Sequence, residues 1–190
     1  MVAGDLEFFN KVEKEREYKN YVMTHIADVE EAFHRLIEPL KHKYDKTVDD
    51  AIDLCGQYIP LHDLSKFSKQ EFDAYRKHFY PTDQEKKSQT KEDPEFDLAW
   101  ELHHKNNLHH PIHWVTGDEK QDMSLNFIFE MLCDWSSVSK HFVTEHGEDT
   151  SVVKWYDSKA AEEKQSFSDN TRKLVDFWID EIFRKPGIRY

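Results

Sequence analysis

Only two cysteines, Cys55 and Cys133, occur in 190 residues, each in a separate apolar helical pattern, so a framework of several disulfides is excluded and a single bridge between the two stays open. Buried free thiols in a reducing cytoplasm are the expectation. Five glycines and six prolines are too few for a turn-rich β protein or a low-complexity linker. No uninterrupted apolar run approaches the length of a bilayer span, and the acidic start with Asp5 and Glu7 lacks the form of a signal peptide. Positive charge is also short: 26 Lys+Arg stand against 38 Asp+Glu, a formal charge of -12. That balance argues against a nucleic-acid backbone or an anionic membrane as partner, and leaves small ligands held by a local positive group. A soluble cytoplasmic protein is expected, with its oligomeric state open.

Histidine, in contrast, is abundant. Seven of the twelve, His62, His78, His103, His104, His109, His110 and His113, fall between residues 62 and 113.

Nearly every periodic stretch has helical spacing, so a single all-α domain over residues 1–190 is expected, a helical bundle with its core at about 15–145. Tyr18, Val22, Ile26, Val29, Phe33 and Leu36 recur at three and four residues until Pro39. Val48, Ala51, Ile52 and Cys55 mark a second helix, broken near Gly56 and Pro60. Ser68-Lys69-Gln70-Glu71 has the form of a capping box for a third helix that carries Phe72, Tyr75 and Phe79. The polar, lysine-rich segment at about 81–93 is expected to be a loop. Asp93-Pro94 then opens a fourth helix with Phe96, Ala99, Trp100 and His103. Leu125, Ile128, Met131, Leu132, Trp135, Val138 and Phe142 define a fifth. C-terminal helices at about 157–184 include a short one near Ala160 and a last one from Ser168 to Phe183.

The candidate site assembles across these helices. His25 lies on the core-facing stripe between Val22 and Val29, where an imidazole needs a hydrogen bond or a metal. Asp134 sits in the apolar stretch Met131-Leu132-Cys133-Asp134-Trp135, where a carboxylate must be paired, solvated or bound to a cation. In Leu61-His62-Asp63-Leu64-Ser65-Lys66, adjacent imidazole and carboxylate groups suit Mn, Fe, Co, Ni or Zn, provided the backbone aims both inward.

The order His25, then His62-Asp63 after 37 positions, then Asp134 after a further 71, resembles the HD superfamily of metal-dependent phosphohydrolases. The resemblance covers about residues 18 to 145, with Ser65 where the family has glycine. Phe67 to Phe72 and Ala99 to Pro111 also look like an uncharacterised bacterial and phage branch of such proteins. The resemblance implies a helical bundle of the HD type, with His25, His62, Asp63 and Asp134 as ligands of one divalent transition ion. It implies hydrolysis of a small phosphorylated metabolite, a nucleotide first among them. Lys66 would balance phosphoryl charge, and Glu71 and Glu130 are the carboxylates placed for proton transfer or for holding a ligand. His109, His110 and Trp114 are candidates for substrate contact. A second ion, as in two-metal members, would draw on His104 with His109 or His110, or on His78 with His103 or His104. The other classes are an HD-type di-iron oxygenase of phosphonates or polyols, and a non-catalytic metal-binding module.

Overall fold

The computed structural model describes residues 3–146, 151–158 and 160–185; the side chains of residues 3, 4, 141–146 and 162 are not described. The fold is all-α. Among the described residues the helices are α1 (Ala3–Ala32), α2 (Lys46–Tyr58), α3 (Phe72–Phe79), α4 (Asp83–Ser88), α5 (Pro94–Asn106), α6 (Leu125–His146), α7 (Val152–Ser158), α8 (Ala161–Ser166) and α9 (Asp169–Ile179). A two-residue hairpin pairs β1 (Val115–Thr116) with β2 (Glu119–Lys120), a feature too short to leave an alternating pattern in the sequence. No helix among the described residues is long and apolar enough to cross a membrane. The chain divides into two compact units, one of residues 1–24 and 63–107, the other of residues 25–62 and 108–190.

In the first unit, Tyr18 of α1 packs edge-on against Phe72 at 5.2 Å, and Tyr75 of α3 does the same with Phe96 of α5. Arg76 is fully buried, and its guanidinium forks onto both carboxylate oxygens of Glu85 at 2.6 and 2.7 Å. The segment expected as a loop contains α4, whose start is a complete capping box between Thr82 and Glu85. At the start of α3, in contrast, Ser68 and Glu71 form no side-chain cap. The Glu71 carboxylate turns inward instead.

In the second unit, Val29, Phe33 and Leu36 pack with Ile52 and Cys55 of α2, with Ile128, Phe129, Leu132 and Cys133 of α6, and with Trp178 and Ile179 of α9. Burying side chains of this size stabilises by about 1.5–3 kcal/mol each before conformational entropy is charged. Gly56 does not break α2; it lies inside it. A Cβ there would stand 3.0 Å from the Phe33 ring, so glycine is what allows the close approach. Both cysteines are buried free thiols. The helix expected through Phe142 is α6, on which Phe142 has a helical backbone and a side chain outside the described residues.

Candidate metal centre

In the second unit, α2 ends at Tyr58, and a 3₁₀ turn, Ile59–Leu61, containing Pro60, delivers His62 with its side chain fully buried. α1 supplies His25. α6 supplies Glu130, Asp134 and Ser137, spaced by four and three residues and therefore on one face of the helix. Three donor atoms converge: His25 Nε2 lies 3.2 Å from His62 Nε2 and 3.2 Å from Asp134 Oδ1, and His62 Nε2 lies 3.8 Å from Asp134 Oδ1. The nearest point equidistant from these atoms is about 2.0 Å from each, so a first-row ion at its usual bond length to imidazole and carboxylate ligands can reach all three. This donor set, with His62 buried and His25 and Asp134 partly buried, fits a divalent metal and could hold one.

The surrounding contacts hold those donors in place. His62 Nδ1 donates to Glu130 Oε1 at 2.9 Å, and His109 Nδ1 lies 3.1 Å from the same oxygen. The rings of His62 and His109 stand 4.3 Å apart. Ser137 Oγ is 3.3 Å from His25 Nδ1 and donates to the Asp134 carbonyl. Burial pushes the Glu130 carboxyl up, but hydrogen bonds from His109 and His62 outweigh it and hold the pKa at about 2. Asp134 is likewise held well below the usual carboxylate range, burial being overcome by the hydrogen bond and charge of His25. Both carboxylates are therefore ionised at neutral pH. An unpaired anion could not be kept at such depth, so positive or N–H partners are a requirement.

The first unit gathers a second buried polar group. Asp63 takes the left-handed conformation, φ 56° and ψ 12°, which Asp tolerates better than most residues because its short side chain bonds locally. Lys66 Nζ lies 2.6 Å from Asp63 Oδ2, and 5.5 Å above the Tyr75 ring. His103 places Nε2 3.2 Å from Asp63 Oδ1 and Nδ1 2.8 Å from Glu71 Oε2. Burial lowers the His103 pKa, yet the two carboxylates overcome this and raise it above the ordinary imidazole value. Ser65 Oγ donates to Glu71, and Asn107 donates both to Ser65 and to the His103 carbonyl.

Of the other sequence candidates, His78 stacks on Phe96 at 3.7 Å with Nδ1 on Asp93, and His104 meets the Trp100 ring edge-on at 4.2 Å. Neither belongs to a group of metal-competent side chains among the described residues. His110 is half-buried with its ring 4.2 Å from that of His109, and Trp114 donates its indole N–H to the Leu108 carbonyl. Ser137 and Asn107 escaped the sequence reading. Ser137 was reachable as the next residue on the Glu130–Asp134 face; Asn107 has no sequence signal.

No curated protein and no solved structure matches the chain. Residues 14–181 match a family model described as a family of unknown function, DUF5662, and the chain belongs to that family.

Proposed function

We propose that this protein is a metal-dependent phosphohydrolase of a small phosphorylated metabolite, with nucleotides as the class to test first. The observation that carries the reading is the convergence of His25 Nε2, His62 Nε2 and Asp134 Oδ1 on one ion-sized position. Mixed imidazole and carboxylate donors favour Mn, Fe, Co, Ni or Zn over Mg or Ca. An ion with such ligands and open positions supplies an acidified water and polarises a phosphoryl oxygen. The order of these residues along the chain supports the HD resemblance, and on the strength of that sequence pattern alone the reading adds Asp63 as a fourth ligand.

The protein's own groups would then divide the work. Lys66, held beside Asp63, would balance phosphoryl charge. Glu71 is committed to His103, so its part is to hold that ring. The net charge of -12 makes a local cation more necessary for any anionic substrate.

The test is a phosphate-release screen over nucleoside mono-, di- and triphosphates with each candidate ion added, alongside elemental analysis. Release with one or more of these ions, abolished in His62→Ala, is the expected result. No release from any substrate, together with two irons per chain and a mixed-valent electronic signal, would transfer the centre to oxidation. A retained ion with neither activity would make it a non-catalytic metal site.

A further inference from the structure

Glu130 is 4% exposed and one helical turn before Asp134 on α6. Its single oxygen Oε1 serves two imidazoles, His62 Nδ1 at 2.9 Å and His109 Nδ1 at 3.1 Å. An ionised carboxylate offers only lone pairs, so each contact requires the hydrogen to sit on Nδ1. In a neutral ring Nε2 is then bare. For His62 that bare nitrogen is the one facing His25 and Asp134. With the two rings 4.3 Å apart and 38° from parallel, a shift of Glu130 that lets one ring turn removes the anchor of the other as well.

We propose that Glu130 is the positioning residue of the metal centre, and that through Oε1 it ties the ring of His109 to that of His62, so that ion uptake is felt at His109. This rests on the metal reading above. Carboxylate partners of ligating histidines fix the ring and raise its basicity, and their loss costs about 10–100-fold in metal affinity. A Glu130 that merely filled the interior would show no such link between uptake of the ion and the state of His109.

The experiment is zinc binding by chelator competition on the wild type, Glu130→Gln and Glu130→Asp, with ¹⁵N-histidine NMR of each and the His109 signal assigned through His109→Gln. Glu130→Gln should bind zinc about 10–100-fold more weakly at the tightest site. In the wild type, zinc should move the His109 ring signals, and at saturating zinc Glu130→Gln should lose that response. Glu130→Asp keeps the charge but withdraws the oxygen by one methylene, so it should lose affinity too, and it serves if Glu130→Gln does not fold. Wild-type affinity in either folded variant, or a His109 signal blind to zinc in the wild type, overturns the proposal while leaving the metal reading intact. No zinc uptake by the wild type overturns both.

Discussion

Lys66 separates a phosphoryl-transfer site from a metal site of another kind. Its ammonium is paired with Asp63 in this structure, and the proposed function requires it to turn to a phosphate. Lys66→Ala should cost about 10²–10³-fold in turnover, the scale of one preorganised electrostatic group, with little loss of thermal stability. Lys66→Arg should recover only part of this, because a guanidinium differs in reach and hydration from a compact ammonium. Phosphate release unchanged in Lys66→Ala would remove the lysine from the mechanism. At the candidate metal centre, sequence was informative wherever a polar residue broke an apolar context: His25 on its stripe, Asp134 among Met131, Leu132 and Trp135. It was less so for Glu71, which reads as a cap by its spacing from Ser68 but whose carboxylate is claimed by His103 and Ser65. Nor did the run of five histidines reveal its phase. Only the turn of α5 decides that His103 is buried and His104 faces Trp100.

At the scale of elements, α2 and α1 meet so closely that one methyl group decides the balance. Gly56→Ala gains helix propensity, up to about 1 kcal/mol, but its Cβ would press on the Phe33 ring, and overpacking costs about 1–3 kcal/mol. A net loss of about 1 kcal/mol is expected by denaturant unfolding. In a Phe33→Leu background the same change should become neutral or stabilising, and a loss of equal size there would refute the contact. The pair Arg76–Glu85 gives the pH counterpart. Glu85 is lowered from its ordinary 4.5 to about 2, first by the Arg76 hydrogen bond and against burial. A depressed carboxylate contributes stability that is fully present above about 4.5 and lost as pH falls through about 2. The stability difference between wild type and Arg76→Met should therefore shrink across that window and be constant from pH 5 to 7. The helices themselves were legible through their three- and four-residue spacing, with two failures. The first turns of α1 expose Leu6, Phe8, Phe9 and Val12, so no buried stripe announces them. α4 is only six residues long and lysine-rich, and its Thr82–Glu85 capping box was the one local signal to be had.

For the molecule as a whole, an ion that binds only the folded chain raises its stability by mass action, about 2.7 kcal/mol at a free concentration one hundred times Kd. For a chain of this size that is about 5–10 °C in Tm. His25→Ala and Asp134→Asn should abolish the zinc-dependent part of the shift. The acidic balance and the apolar periodicity that indicated helices were both visible without coordinates. The convergence of His25, His62 and Asp134 was not, because 109 positions separate the first from the last and only α1, the turn after α2, and α6 bring them within 3.8 Å. The most direct measurement is the metal content, by elemental analysis, of wild type and Asp134→Asn purified and loaded identically. The wild type should carry at least one transition ion per chain and the variant one fewer; an ion-free wild type, or equal content in the two, would contradict the metal centre.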